Sequence, residues 1–251
     1  MSEEFSTTPL YQLAEEESGI VFIEALEMSG FFVESNEVEP GDILIFGSAL
    51  RPVDLGKDLP DVELRVVDLT GTVIGSYYIG RVRLRSALKG EGGARRDGFV
   101  TSFYGHACPY SAAGEIWHRW ASGVPLEKAE WVSRPVDSHD SWLHVVQNAW
   151  FESGRNAKRY LIEDTHVIDS RNIFGESSFY CELGESVNGP GGYFGSNLDG
   201  LADCLASSRA SDAPFRLAWR GFSVAQERMG VRLADSVVGI LREFGVEVTL
   251  Q

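Results

Sequence analysis

The chain has 251 residues, of which 43% are hydrophobic, 11% aromatic and 24% charged. These fractions are typical of folded globular proteins and exclude disordered, collagen-like and coiled-coil chains. The formal net charge of −15 disfavours direct binding to nucleic acid or to anionic membranes, because such binding normally needs clustered Lys and Arg. An acidic surface instead suits a basic protein partner, such as a protein that itself binds nucleic acid.

The three cysteines are Cys108, Cys181 and Cys204, which lie far apart in the sequence and show no metal-ligand spacing. Neither a disulfide framework nor a zinc site is expected, which fits a reducing cytosol. The first residues show no basic and apolar regions of a signal peptide, and no apolar run approaches the ~18 residues of a membrane span. The sequence therefore predicts a cytoplasmic protein without membrane contact.

The first third of the chain has the pattern of a β-rich module. Short β-branched and aromatic runs at residues 20–23, 43–46, 62–69 and 73–84 are separated by Gly, Pro and Asp. Residues 66–74 predict two strands joined by a tight turn, because a Thr-Gly pair interrupts two apolar runs. Nothing in this module indicates what it does.

A change of composition follows the β-rich module. Residues 111–122, with Trp117 and Trp120, predict a short helix, and the polar residues 133–141 predict a connector. The apolar residues 142–151 are expected to form a strand or a helix packed between the modules. The predicted organisation is a β-rich module at 1–132, a connector with an apolar packing segment at 133–157, and a C-terminal domain at 158–251.

The C-terminal residues alternate between strand and helix patterns. Strands are predicted at 160–162, 215–219 and 246–250, and a helix at 236–244. Two further helices are indicated by apolar residues at helical spacing: Phe179, Leu183 and Val187 in the first, and Leu198, Leu201 and Leu205 in the second. Such alternation predicts a small parallel sheet covered by helices, and an α+β class for the whole chain.

The second of these helices carries an acidic pair. Asp199 and Asp203 are four residues apart, so they fall on one flank of the helix, where like charges repel. Ser196, three residues before Asp199, predicts a capping-box-like start. Two neighbouring carboxylates on one helix flank therefore indicate a surface that binds a cationic group.

Residues 193–205 read Tyr-Phe-Gly-Ser-Asn-Leu-Asp-Gly-Leu-Ala-Asp-Cys-Leu. They resemble the signature of the barstar family of intracellular protein inhibitors of the secreted ribonuclease barnase, in which two aromatics and a Gly precede spaced Asn, Leu, Asp and Cys. The resemblance continues through residues 217–222, 240–243 and 246–250, and covers about 158–251. It implies a three-stranded parallel sheet covered by helices.

The resemblance also implies a binding surface and a partner. The partner is a secreted or toxin-type ribonuclease with a basic active site, and the function is inhibition rather than catalysis, with no cofactor and no metal. The positions that match the family's contact surface form one set of expected nuclease-binding residues: Tyr193, Phe194, Gly195, Asn197, Asp199, Asp203 and Glu243.

The sequence also departs from the family pattern. Ala202 replaces a family tryptophan, Phe194 lacks a tyrosine hydroxyl, and residues 206–212 replace the usual Gly-Trp after the helix. These departures leave open an immunity protein for a different basic nuclease, or a non-inhibitory interaction module. An enzyme using Asp199 and Asp203 as an acid–base pair is disfavoured, because an exposed helix offers no desolvated pocket that would give two carboxyl groups different pKa values.

Two other groups of residues have weaker functional interpretations. Asp137, His139, Asp140 and His144 suggest a metal, but the spacing of the two histidines places them on different helix faces, so a polar connector is favoured. Five tryptophans are candidates for a base-stacking platform, but the acidic background favours packing instead: Trp117, Trp120, Trp131, Trp142 and Trp150.

Overall fold

The computed structural model describes residues 8–34, 42–52, 54–89, 97–209 and 215–251, without the side chain of Arg209. Its internal contacts divide the chain into two compact units, Met1–Val124 and Pro125–Gln251. Residues 125–157, expected as the end of the β-rich module and as a connector, therefore lie inside the second unit.

The first unit is a closed six-stranded barrel with the strand order β1-β2-β3-β6-β5-β4, and all its pairings are antiparallel. Buried and exposed residues alternate along the strands, as expected of a sheet with one face on the core. In β3, for example, Ile43 and Ile45 are buried, whereas their neighbours Asp42 and Leu44 are exposed. The elements are β1 (Tyr11–Glu15), β2 (Val21–Ser29), β3 (Asp42–Ala49), β4 (Asp58–Val67), β5 (Val73–Leu88), β6 (Gly98–Phe103) and helix α1 (Ala113–Ala121).

The predicted hairpin between β4 and β5 is present. Asp68 organises its turn, because the carboxylate accepts hydrogen bonds from the backbone amides of Thr70 (2.8 Å) and Thr72 (3.0 Å). Gly71 adopts φ = 81°, a conformation that favours glycine. The short helix predicted around Trp117 is also confirmed, and Trp117 is buried with its indole N–H donating to the Tyr77 hydroxyl at 2.8 Å.

The second unit is a three-stranded parallel sheet in the order β7-β8-β9 with helices around it. Parallel neighbours need crossover connections, and helices supply them. The elements are α2 (His139–Glu152), β7 (Thr165–Asp169), α3 (Glu176–Asn188), α4 (Leu198–Arg209), β8 (Arg216–Arg220), α5 (Phe222–Met229), α6 (Val231–Glu243) and β9 (Glu247–Leu250). The predicted α+β class, with its β-rich first part and its parallel sheet covered by helices, is confirmed.

The core of the second unit lies between the sheet and its helices. The buried Trp219 on β8 stacks on Phe179 of α3, with ring centroids 5.1 Å apart. On α6 the buried residues recur at helical spacing, as expected of a helix with one apolar face: Ala234, Val237, Val238 and Leu241. Burial of such faces is the main stabilising contribution to a unit of this size.

Several predicted elements differ from the structure. The strand expected at 160–162 is wrong, because the first strand of the sheet is β7, where His166 and Ile168 are buried and residues 160–162 are exposed. Helix α6 begins at Val231, five residues before the predicted start, and α5 was not predicted. Residues 133–141, predicted as a connector, include a 3-10 turn at Val136–Ser138 and the start of α2 at His139. Another 3-10 turn precedes them at Glu130–Ser133.

Four of the tryptophans expected to serve packing are buried: Trp117, Trp131, Trp142 and Trp150. Trp120 is half-buried. No helix among the described residues is long and apolar enough to cross a membrane.

Candidate functional site

The loop between α3 and α4 carries the first of the expected binding residues and packs directly on α3. The two backbones approach so closely at Gly184 and Gly192 that a Cβ on Gly184 would lie 2.2 Å from the carbonyl oxygen of Gly192. Such a distance is impossible for a side chain, so Gly184 is required for the approach. A Cβ on Gly192, in the loop itself, would lie 2.7 Å from the carbonyl oxygens of Gly184 and Gly189, so this position also requires glycine.

Asn188, the last residue of α3, holds the loop to the segment that precedes the sheet. Its side-chain amide donates to the carbonyl oxygens of Tyr193 (2.8 Å) and Lys158 (3.1 Å). Its side-chain oxygen accepts from the backbone N–H of Tyr160 at 2.7 Å. Because the amide is buried and fully engaged, it fixes the loop relative to residues 158–160.

Glu185, one turn earlier on α3, is a buried carboxylate that serves the same loop. It accepts hydrogen bonds from the backbone N–H groups of Ala129 (2.6 Å) and Gly191 (3.4 Å). Burial raises the pKa of Glu185, although these two donors act in the opposite direction by favouring the charged form. Glu185 therefore connects the loop to the segment before α2.

Helix α4 begins with a cap that differs from the predicted one. The side-chain oxygen of Asn197 accepts from the backbone N–H of Gly200 at 2.7 Å, which is the N-cap interaction. The cap is therefore Asn197, not Ser196. Asn197 is exposed, but its side chain has a structural role at the helix start.

The expected acidic residues are exposed on two helices that pack together. On α4 the buried residues are Leu201, Cys204, Leu205 and Ser208, and Asp199 and Asp203 lie outside that face. Helix α4 packs against α6, whose last residue is the exposed Glu243. Among the side chains that the structure describes, no cationic group lies within ion-pair distance of these three carboxylates.

The other three expected residues have a different position. Tyr193 is only 3% exposed and Phe194 is fully buried, with its ring 6.3 Å from that of Phe215. Burial raises the pKa of the Tyr193 phenol. Gly195 adopts φ = 100° and a Cβ there would lie 2.8 Å from the backbone nitrogen of Leu201. These residues shape the loop, and Phe194 belongs to the core, so its side chain is not part of the exposed surface.

The weaker metal hypothesis places two histidines on α2. His139 is buried and His144 half-buried, and desolvation lowers the pKa of both imidazoles, that of His144 to about 4. Within the described residues, no group of three or more His, Cys, Asp or Glu side chains is arranged to hold a metal ion. The three cysteines are buried and remain as thiols.

The second unit matches a family model. Residues 163–249 match the family described as Barstar (barnase inhibitor). They form a Barstar domain. The match contains β7, β8, α3 to α6 and all of β9 except Leu250, and with them all seven expected binding residues. A comparison with curated proteins finds no match to the chain.

The second compact unit begins well before the residues that match the family. Residues 125–162 precede the match, yet they include α2, which packs on α3, and the backbone groups bound by Glu185 and Asn188. Sequence reasoning missed this role, because polar residues 133–141 have the composition of a connector. The signal was present in Trp131, Trp142 and Trp150, which are too apolar for a linker.

Proposed function

We propose that the protein inhibits a barnase-type, guanyl-specific ribonuclease by placing the acidic side chains of α4 in its cationic active site. The observation that carries the proposal is the position of Asp199 and Asp203. Both are exposed one turn apart on α4, within the Barstar domain and away from any described cation. The proposal covers inhibition in the cytoplasm, before the nuclease reaches cellular RNA, and fits a chain whose three cysteines remain as thiols.

Electrostatics supports this mechanism. A ribonuclease cleft is lined with basic groups that hold phosphate, and fixed carboxylates on a rigid helix can occupy it without being cleaved. Complementary charge raises the association rate, and the net charge of −15 adds a long-range attraction. Asp199 also lies in the first turn of α4, where the helix dipole stabilises a negative charge.

The rigidity of the surface follows from the contacts beneath it. Asn197 caps α4, and Gly195 allows the close approach of the loop to Leu201. The buried side chains of Asn188 and Glu185 form hydrogen bonds with the loop backbone. A surface that is ordered before binding loses little conformational entropy on association. The proposal therefore assigns Tyr193, Gly195 and Asn197 mainly to shaping the surface, and Asp199, Asp203 and Glu243 to contact with the nuclease.

An inhibitor rather than an enzyme is favoured by the state of the nucleophilic groups. Burial raises the pKa of the Cys108 and Cys204 thiols to about 12 and raises that of Cys181, so the described thiols are protonated at neutral pH. A protonated thiol is a poor nucleophile. Asp199 and Asp203 are both exposed on adjacent turns of α4, so no buried pocket surrounds them as it would surround a catalytic acid–base pair.

The alternative is an immunity protein for a different basic nuclease, or an interaction module without inhibitory activity. The observation that favours it is the side-chain surface of α4, where Ala202 replaces a family tryptophan, and the burial of Phe194. A missing indole removes a large aromatic contact, and aromatic contacts often dominate binding energy. The acidic part of the surface is unaffected by this difference.

Co-expression with a secreted microbial guanyl-specific ribonuclease, retained in the cytoplasm, tests the proposal. The parent chain should rescue growth, and the double variant Asp199→Ala/Asp203→Ala should not. A matched double variant at exposed carboxylates elsewhere in the unit, Glu227→Ala/Asp235→Ala, should rescue growth as the parent does. Cell death with the parent at equal expression would contradict the assigned ribonuclease class, and inhibition of another basic nuclease would support the alternative.

A further inference from the structure

Four large apolar side chains are exposed just before the Barstar match. Phe151 at the end of α2 is 45% exposed. Tyr160, Leu161 and Ile162, in the segment leading to β7, are 38%, 45% and 75% exposed. We call these four residues the apolar rim. Grouped exposed apolar side chains mark interaction surfaces more often than single ones do.

The apolar rim borders the loop that leads into α4. The ring of Phe151 lies edge to face with that of Tyr193, at a centroid distance of 5.3 Å. A Cβ built on Gly189 would lie 3.5 Å from Leu161 Cδ1. The rim therefore contacts the loop at its start, at Gly189, and at its middle, at Tyr193.

The backbone beneath the rim is fixed. The N–H of Arg159 donates to the Ser208 hydroxyl on α4 at 2.8 Å, and the N–H of Tyr160 donates to the side-chain oxygen of Asn188. The Tyr160 ring also packs on Trp150 of α2, with centroids 5.3 Å apart. Since the chain is held on both α3 and α4, the exposed side chains lie on ordered backbone rather than on a free loop.

We propose that the apolar rim is a second contact surface for the same basic nuclease. An apolar patch at the edge of the nuclease's cationic cleft would pack against this rim. The inference rests on the proposed function. Continuity supports it, because Phe151 of the rim contacts Tyr193, whose hydroxyl oxygen would lie 3.3 Å from a Cβ built on Gly200, the residue next to Asp199 on α4. Interfaces commonly combine an apolar, aromatic-rich part with surrounding charged groups.

The net charge of the chain favours a basic nuclease over a second copy of the chain as the partner that binds the rim. A second copy carries another net charge of −15, and docking it on the rim would bring further negative charge towards Asp199 and Asp203. A cationic nuclease is instead attracted by those carboxylates. The rim would then slow dissociation, because apolar contacts act at short range, whereas the acidic helix governs association.

The test compares variants in binding to a purified barnase-type ribonuclease. Ile162→Ser and the double variant Phe151→Ala/Ile162→Ser should raise Kd by about 5-fold and at least about 30-fold, mainly through faster dissociation. The association rate and its dependence on salt should stay as in the parent. The matched control is Val231→Ser, an exposed apolar residue at the start of α6, which should change Kd less than 2-fold. Ile162→Ser removes no buried side chain and keeps the test valid if the double variant unfolds.

The possible results separate the two proposals. If the parent inhibits the ribonuclease and Ile162→Ser binds as tightly as Val231→Ser, the rim is no contact and only this inference fails. If the parent forms a dimer in sedimentation velocity that Ile162→Ser abolishes, a second copy occupies the rim and the inference is overturned. If the parent does not bind the ribonuclease, the proposed function fails and the rim loses its assigned partner with it.

Discussion

The backbone N–H of Ala129 donates a 2.6 Å hydrogen bond to the carboxylate of Glu185. Ala129 lies outside the residues that match the Barstar family, and Glu185 lies inside them. The same carboxylate reaches Gly191 in the loop before α4. The Barstar domain of this protein is therefore built together with a preceding segment, and the compact unit begins at Pro125.

This relationship predicts where the chain can be divided. A fragment of residues 125–251 should fold and melt at a temperature close to that of the same unit in the full chain. A fragment starting at residue 155 lacks α2 and so loses the buried side chains of that helix, among them Trp142, Val145, Val146 and Trp150. At about 1.5–3 kcal/mol for each large side chain, the loss approaches the whole stability of a small domain.

Circular dichroism melts of the two fragments and the full chain check this expectation. The shorter fragment should show no cooperative transition, or one lowered by tens of degrees. Equal melting temperatures for the two fragments would show that α2 contributes little, and that the predicted boundary at 157/158 describes an independent domain.

A second prediction concerns Glu185 itself. Glu185→Ala leaves the N–H groups of Ala129 and Gly191 without their acceptor in the interior, at a cost of about 2–4 kcal/mol in the free energy of unfolding. Glu176→Ala, an exposed carboxylate at the start of the same helix, should cost less than about 1 kcal/mol. Urea denaturation of both variants measures the difference, and similar losses would show that the buried carboxylate has no special role.

A third prediction follows from His144. Burial lowers the pKa of its imidazole to about 4, compared with 6.5 in the unfolded chain. The folded state then favours the neutral ring, so its contribution to stability is complete above pH 6.5 and is lost as the pH falls from 6.5 to 4. The loss amounts to roughly 3 kcal/mol at 1.36 kcal/mol per pKa unit.

The variant His144→Gln isolates this contribution. Its free energy of unfolding should fall less steeply between pH 6.5 and 4 than that of the parent, whatever its stability at neutral pH. Denaturation at several pH values provides the measurement. Parallel pH profiles for the parent and the variant would show that His144 is equally easy to protonate in both states.

Much of the fold was predictable because the signals are local. The β-branched and aromatic run at residues 43–46 and the turn at Thr70 and Gly71 indicate strands and a hairpin, and the apolar spacing on α3 and α4 indicates helices. The strand order of the barrel was not predictable, since it depends on pairings such as that of β1 with β4, which are distant in sequence. Residues 160–162 have strand propensity, but tertiary contacts with Asn188 hold them outside the sheet.

The candidate site was predictable in part. The spacing of Asp199 and Asp203 predicts a shared helix flank, and both are exposed there. The burial of Phe194 and the capping role of Asn197 could not be foreseen, because a signature contains residues that shape a loop as well as residues that contact a partner. The contacts of Ala129 with Glu185 and of Phe151 with Tyr193 join segments that are distant in sequence and so could not be foreseen either.

The most direct test of the inhibitor account is a titration of a purified barnase-type ribonuclease with the parent, with Asp203→Ala and with Glu227→Ala. The parent should abolish cleavage near one equivalent, and Glu227→Ala, an exposed carboxylate on α5, should do the same. Asp203→Ala should raise the inhibition constant at least about 30-fold, equivalent to about 2 kcal/mol, because a basic group of the nuclease is left buried and unpaired. Inhibition by Asp203→Ala equal to that of the parent, or no inhibition by the parent, would contradict the account.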